Sequence, residues 1–526
     1  MTDTLTFQNE LDTFTRELLD ELFAPLPDGK TPSVPAENFT KKTGNLLKMA
    51  QEADLTQPII TLFNWLKEIR STHLLTPEAI GISDRTAIKL CRKHADIDEH
   101  GVTVGGRLNR AAPIVAAAVE RVDDYLGRKD IEAPSGIELW DTLQENINRI
   151  KSLLGMDDDD WNSYQGQIRN CIDSVDTLAK VVDLPPAIIK EVTRVTKSYR
   201  MRLTPYYASL IRSGKENDPI LLQSVPTGEM VDNVGIEIPP VAADHSPARL
   251  IDQFYPRVVT IKATNMCAMY CTHCLRIAHI GKKDRIYSDA AYTEALDYIR
   301  GNKRIRDILI TGGDAFVLPN KVIRKILDEL DSIEHVRMKR LGTRIPVTSP
   351  QRIDSELLEI LAASNDRKPI RVVTQINTAR EITPVSKDAF RRISKAVSAV
   401  LNQAVLLKGI NDTRVKMWKL CETIQESYVR PYYIFNCSYR NPQFSHFRVP
   451  IETGRDIVES MYGNISGDAI PRYIATAGGK IPLHRSNVKE RDGQDILLKK
   501  PWSDEVVRYP DADNEEYTRK NYSFSK

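Results

Sequence analysis

The chain has 526 residues with 73 Lys and Arg against 71 Asp and Glu, a formal net charge of +2. That length predicts about two to four domains with a large core, and the near-balance of charge gives no global basic field to argue for nucleic acid. Seven cysteines are an odd and mostly scattered set, which fits a reduced cytoplasmic protein better than a disulfide scaffold.

The N-terminus, Met1-Thr-Asp-Thr-Leu-Thr-Phe, has no basic leader and no apolar core of a signal peptide. No apolar run is long enough to span a bilayer, so no membrane association is expected. Residues 1–154 read as a helical N-terminal extension. Leu11, Phe14, Leu18, Leu19 and Leu22 recur at helical spacing, and Pro25-Leu-Pro-Asp-Gly29 ends that helix. Further amphipathic stretches fall near 40–53, 57–70, 85–94, 107–126 and 137–154. His94 and His100 sit in polar surroundings as solvated residues. Packing, oligomerisation and partner binding all remain open for this segment, and a homo-oligomer is expected.

Residues 155–250 read as a helical lead-in and connection. Asp157-Asp-Asp-Asp160 before Trp161 is read as a helix start, because acids favour the positive end of the helix dipole. From about 251 the pattern changes to alternating strands and helices. Strands are predicted at 258–263, 308–310, 336–341, 370–375, 404–407 and 432–435. Helices are predicted near 289–300, 319–331, 354–363, 386–399, 412–427 and 453–462. Six such units imply a partial (β/α)6 barrel over 251–465, followed by a C-terminal segment and tail over 466–526. In this architecture chemistry gathers at the C-terminal ends of the strands.

The first strand runs into Cys267-Ala-Met-Tyr-Cys271-Thr-His-Cys274. Three thiolates spaced C-x3-C-x2-C suit an iron–sulfur cluster with one iron left open. A structural zinc would need a fourth ligand, and no second cysteine pair stands nearby. The second strand ends in Thr311-Gly312-Gly313-Asp314, where backbone can approach a neighbour closely and Asp314 can pair with a cation. Arg340, Arg344 and Arg352 crowd the third strand end and suit carboxylate or phosphate. Gly478-Gly479-Lys480 lacks the spacing of a phosphate loop. Its lysine is read either as a turn residue or as a carbonyl-capturing amine.

Residues from about 155 to 515 resemble the lysine 2,3-aminomutase family, PLP-dependent radical S-adenosylmethionine (SAM) enzymes. The resemblance rests on Leu203-Thr-Pro-Tyr-Tyr-Ala-Ser-Leu210, the cysteine stretch through Arg276, Ile310-Thr-Gly-Gly-Asp-Ala315 and Pro350-Gln-Arg352. It continues through Glu381-Ile-Thr383, Asn402–Asp412, Arg430-Pro-Tyr-Tyr-Ile434, His446-Phe-Arg448 and Gly478-Gly-Lys480. It implies that Cys267, Cys271 and Cys274 hold a [4Fe-4S] cluster, and that Gly312, Gly313, Asp314, Gln403 and His273 line the SAM site. Lys480 would carry pyridoxal 5′-phosphate (PLP), with Arg257 on its phosphate. Arg276 would grip the carboxylate of a small-molecule amino acid, and a flavodoxin or ferredoxin would donate electrons. The implied reaction, an isomerisation, moves an amino group from Cα to Cβ.

Departures from the family pattern bear on the substrate. Lysine-specific members place aspartates where this chain has Ser438 and Thr476. A buried ammonium without carboxylates is costly, so lysine is not the expected substrate. Arg440 in the same loop favours glutamate if it points inward; a neutral amino acid fits if it points outward. Gln375 replaces a histidine expected on the fourth strand, and no cysteine follows Cys437 to build the zinc site of some relatives. Modification of a lysine on a partner protein, or a non-isomerase outcome on the same cofactors, are the alternative activities.

Overall fold

The computed structural model describes residues 104–212, 214, 217–233 and 246–512. The helical stretches expected before residue 104, with His94 and His100, lie outside them. The chain divides into two compact units, Met1–Glu120 and Arg121–Lys526, and the account below concerns the second.

Nine strands form one open, curled sheet in chain order: β1 Ile251–Tyr255, β2 Val258–Thr264, β3 Asp307–Gly312, β4 Met338–Gly342, β5 Ile370–Thr374, β6 Ala399–Leu406, β7 Arg430–Asn436, β8 Arg472–Thr476 and β9 Lys480–Pro482. From β2 to β8 every neighbouring pair is parallel, while β1 and β9 are antiparallel to their neighbours. The six expected β/α units are β2 to β7, each followed by its helix: Asp289–Gly301, Asn320–Ser332, Ser355–Arg367, Pro384–Ala396, Arg414–Gln425 and Ile451–Glu459.

These helices have clear local causes. Ser288, Asp354, Thr383 and Thr413 each accept a backbone N–H of the first turn, satisfying donors that would otherwise be orphaned. Ile323, Ile326, Leu327 and Leu330 bury one stripe of the second helix. They join Ile308, Ile310, Leu341 and Val372 in the main core. Strands and helices thus share one apolar layer, and the sheet's concave side is left for polar groups.

Three features differ from the sequence reading. The fifth expected strand starts at Ala399 rather than 404, so Gln403 lies inside β6 and not ahead of it; its polar residues sit among apolar ones and mask the run. β8 and β9 extend the sheet past the sixth unit. The tail forms a separate three-stranded sheet, β10 Val488–Asp492, β11 Asp495–Lys499 and β12 Val506–Pro510. It docks through Tyr509, whose hydroxyl donates to Asn436 Oδ1 at 2.6 Å.

The lead-in and the last helix of the N-terminal extension form a second core beside the barrel. Leu143, Ile147 and Ile150 of the helix Trp140–Leu154 join Trp161, Tyr206 and Tyr207. Asn146 Nδ2 donates to the Ser209 carbonyl at 2.7 Å. The acidic run is the helix start expected of it: Asp157 accepts from Asp160 N at 2.8 Å. Further back, the Tyr125 ring stacks on Trp418 at 4.3 Å. No helix among the described residues is long and apolar enough to cross a membrane.

Candidate active site

The cysteine stretch is the β2–α loop, and the Gly-Gly-Asp turn ending β3 is pressed against it. Gly312 has φ of 115°. A Cβ on Gly312 or Gly313 would overlap the carbonyl oxygens of Thr264 and Met266. Asp314 N–H donates to Met266 O at 2.9 Å. The glycines therefore serve close contact between two loops. Asp314 is buried, and its carboxylate accepts the N–H of Phe316 at 2.9 Å and of Arg344 at 2.6 Å. Burial pushes its pKa up while those hydrogen bonds pull it down. It holds two turns in place rather than standing free for a cation.

Burial and the neighbouring Asp314 and cysteine sulfurs push the Cys267 thiol well above its ordinary pKa. Burial and Cys271 push Cys274 up to about 12. The three sulfurs are thus close enough to feel one another. They are not drawn to metal-binding spacing, and no group of three or more potential ligands is so drawn among the described residues. Arg344 reaches in beside them. Its Nη1 donates to Cys271 Sγ at 2.8 Å, and its Nη2 to Glu381 Oε1 at 2.6 Å and Gln223 Oε1 at 3.0 Å. His273 is buried among Gln375 (3.1 Å) and Asn377 (3.2 Å), and burial holds its pKa down at about 3, a neutral imidazole. Gln375, the departure noted in the sequence, is thus His273's direct partner.

The concave side carries the second group of functional candidates. Arg276 follows the last cysteine by two residues and is partly buried. Its guanidinium makes no hydrogen bond or ion pair to any described residue, although it feels Cys274, Asp252 and Cys267. Lys480 opens β9, directly opposite Thr476 on β8. Its ammonium lies 4.9 Å from the Tyr433 ring centre and 5.6 Å from that of Phe435. Burial, then the positive charges of Arg340 and Arg276, lower its pKa to about 8 against the pull of Asp307. Arg340 is held by Asp307 at 2.7 Å. Arg257 is exposed in the β1–β2 turn, beside Val258, which pairs with Asp307.

The third strand-end arginine, Arg352, is structural. It pairs with Asp354 at 2.9 Å and donates to the Leu318 carbonyl at 3.0 Å. Beyond β7, Ser438 is buried and accepts Arg440 N–H at 3.2 Å. Arg440 is exposed; its Nε donates to the Tyr439 hydroxyl at 3.3 Å, and its guanidinium lies 5.8 Å from that ring's centre. The inward orientation that would have favoured a carboxylate is not adopted, because the adjacent aromatic ring offers a surface site. Gln403 is half-buried on β6 opposite Tyr433.

Arg344 is one of the three arginines the sequence offers for a carboxylate, and its carboxylate is Glu381, although no sequence signal separates it from Arg352. One residue escapes the sequence reading. Gln443 is fully buried, yet neither of its side-chain amide atoms has a partner among the described residues. Its only sequence signal is its place in the loop between Cys437 and His446.

The residues fit the groups expected of them. Three soft sulfur donors in one loop suit a cluster with an open iron. Buried polar atoms without partners among the described residues, His273 Nδ1, Gln223 Nε2 and both Gln443 atoms, fit a polar ligand, because such groups are costly when left unserved. The lowered Lys480 pKa fits an amine that attacks an aldehyde. Arg257, exposed in the β1–β2 turn, is a cation of the kind a phosphate needs.

No protein-family model matches the chain. It is 37% identical over 409 residues to the glutamate 2,3-aminomutase of Clostridioides difficile (strain 630), covering 77% of this chain and 94% of that protein. It is 35% identical over 359 residues to the L-lysine 2,3-aminomutase of Clostridium subterminale, covering 67% of this chain and 85% of that protein. It is 38% identical over 352 residues to the L-lysine 2,3-aminomutase of Methanococcus maripaludis, covering 65% and 80%.

Proposed function

The chain belongs to the lysine 2,3-aminomutase family, as an isomerase of the 2,3-aminomutase class, and from that premise we propose that it converts glutamate to its β-amino isomer with a [4Fe-4S] cluster, SAM and PLP. When bound, these groups supply the radical abstraction of an unactivated hydrogen and the electron sink for the migrating amine.

One observation carries the reading. Arg276 has no hydrogen-bond or ion-pair partner among the described residues, yet its charge is felt by Lys480 on one side and it feels Cys274 and Cys267 on the other. A substrate carboxylate gripped there lies between the cysteine loop and the lysine. The planar guanidinium binds it bidentately and fixes the substrate's orientation. Lys480 Nζ gives up its proton more readily than an ordinary lysine, around pH 8, because burial and two arginines disfavour its charge. The Tyr433 and Phe435 rings, with the apolar layer behind them, limit water around that amine. Cys267, Cys271 and Cys274 hold the cluster, and His273, kept neutral, is free to exchange hydrogen bonds with a ligand on Nδ1.

For the substrate, Ser438 and Thr476 offer no carboxylate to a lysine ammonium. The likeness to a glutamate enzyme over 94% of its length supports an acidic side chain. The exposed Arg440 keeps a small neutral amino acid as the second reading. The test is anaerobic incubation of reconstituted enzyme with SAM, PLP, reductant and each of the twenty amino acids, followed by chromatography. The expected product is β-glutamate. Lysine turning over fastest would reject the substrate, and a product of changed mass would reject the isomerase.

A further inference from the structure

We propose that the loop Lys282–Ile286, with Arg200 and Arg202, is the docking surface for a small, acidic one-electron carrier protein that reduces the cluster. The inference rests on the preceding reading that Cys267, Cys271 and Cys274 hold that cluster.

The loop is stitched to the cysteine stretch. Asn265, two residues before Cys267, donates to the Lys283 carbonyl at 2.8 Å and accepts Arg285 N–H at 2.8 Å. Tyr270, inside the cysteine stretch, donates to Asp284 at 3.2 Å. Electron transfer falls steeply with distance, so a donor must dock on surface close to the cysteines. This loop is bonded directly to residues before and within the cysteine stretch.

Its chemistry selects the partner. Lys282, Lys283 and Arg285 are exposed, and none has an ion pair among the described residues. The only acid in the loop, Asp284, is already held by Arg200 at 2.5 Å and Arg202 at 3.5 Å. Those two arginines also lie over the Tyr270 ring, at 4.4 and 5.4 Å. Five cations thus face one spent carboxylate, on a chain whose overall charge is close to neutral. Beside them stand two apolar side chains, Ile286 at 95% exposure and Leu275, next to Cys274, at 48%. An apolar contact within a charged rim is the anatomy of a transient protein interface, and unpaired like charges steer an oppositely charged partner. The balance is simple: the carrier gives up one electron and the cluster gains it.

The experiment titrates reconstituted holoenzyme with a purified acidic flavodoxin, reading affinity and, by stopped flow, cluster bleaching by the reduced carrier. The variant is Lys282→Glu/Lys283→Glu/Arg285→Glu, all exposed and outside the catalytic machinery. Affinity should fall at least about tenfold in the variant, and its dependence on ionic strength should flatten or reverse. Bleaching by dithionite, which needs no docking, should be the same in both proteins. Variant affinity within about twofold of the parent, or no salt-dependent binding by the parent, overturns the surface. Failure of dithionite to bleach the parent overturns the cluster assignment instead, and the binding titration still decides the surface.

Discussion

Thr476 and Lys480 face each other across the β8–β9 hairpin, and only Ala477, Gly478 and Gly479 separate them. The turn is held shut by Ala477 N–H donating to Gly479 O at 3.0 Å, and Lys480 N–H donates to the Tyr255 hydroxyl at 2.9 Å. Gly479 has φ of 137°, and a Cβ there would come 2.5 Å from the Trp502 ring. Gly479→Ala should therefore displace the lysine and reduce PLP loading at least tenfold. Adding Trp502→Ala should restore it only in part, since the ring's space is recovered but the backbone strain is not. Absorbance of the bound cofactor checks both, and full loading of Gly479→Ala would show that the turn tolerates a side chain.

The same lysine gives a pH signature. With its pKa near 8, about a tenth of Lys480 is neutral at pH 7, against well under a thousandth for an unshifted lysine. The rate of borohydride-trappable adduct formation with PLP should rise to a plateau through about pH 8, and Lys480→Ala should abolish the adduct. Linkage has the corresponding sign. Between about pH 8 and 10.5 the unfolded state binds more protons at this site, so its contribution to stability rises with pH across that window. A midpoint near 10 would mean that the lumen does not perturb the lysine.

The six β/α units were legible because each pairs a short apolar run with an amphipathic helix, and those periodicities are local. β8, β9 and the tail sheet were not. β9 is three residues long, and β10 is exposed over most of its length; such strands exist through their partners, not their own pattern. In the site, the cysteine spacing and the glycine–lysine turn announce themselves. Arg344 does not, because what distinguishes it from Arg352 is contact with Cys271 and Glu381, residues 73 and 37 positions away. Arg440 shows the reverse: the sequence supplied the residue, but its direction depends on Tyr439 packed edge-on against Tyr509.

Arg344 anchors a buried charge pair. The Glu381 side chain is fully buried and also accepts the Tyr207 hydroxyl at 3.0 Å. Arg344→Gln would leave that carboxylate without its cation, at a cost of about 3–5 kcal/mol. Denaturant unfolding of the cofactor-free protein should show it, and a loss under about 1 kcal/mol would mean the pair is not formed.

Gln443 should behave in the opposite way. Replacing a buried amide without partners by an apolar side chain of similar size is neutral or stabilising. Gln443→Leu should therefore leave the cofactor-free protein as stable as the parent or up to about 1–3 kcal/mol more stable, while weakening SAM or substrate binding. A large loss of stability would show that the amide is satisfied within the fold.

Residues 121–154 belong with the barrel. Lys419 pairs with Asp130 at 2.9 Å and with Glu138 at 2.5 Å; Trp418 stacks on Tyr125. A chain beginning at Val104 should keep the stability of the catalytic unit. One beginning at Gly155 should lose several kcal/mol through exposed aromatic core and an unpaired buried lysine. Equal thermal midpoints for the two would show that these helices contribute nothing to the barrel.

Substrate choice gives the last prediction. Arg440 is exposed and lies over Tyr439, so Arg440→Ala should leave glutamate turnover within about threefold, the change expected for a surface residue worth some tenths of a kcal/mol. Ser438 and Thr476 are different. Ser438 is buried at the end of β7, and Thr476 stands beside the lysine that would carry the cofactor. Ser438→Asp with Thr476→Asp puts two carboxylates there, each able to give an ammonium a charged hydrogen bond worth about 1.5–3 kcal/mol. The same carboxylates repel the side chain of glutamate. The double variant should therefore gain lysine kcat/KM and lose glutamate kcat/KM, shifting their ratio by at least a hundredfold, with either single change intermediate. Competition between the two amino acids, read by chromatography of the β-isomers, checks this. An unchanged ratio would mean that the side chain is read elsewhere in the lumen, and a tenfold loss of glutamate turnover in Arg440→Ala would mean that Arg440 swings inward when substrate binds.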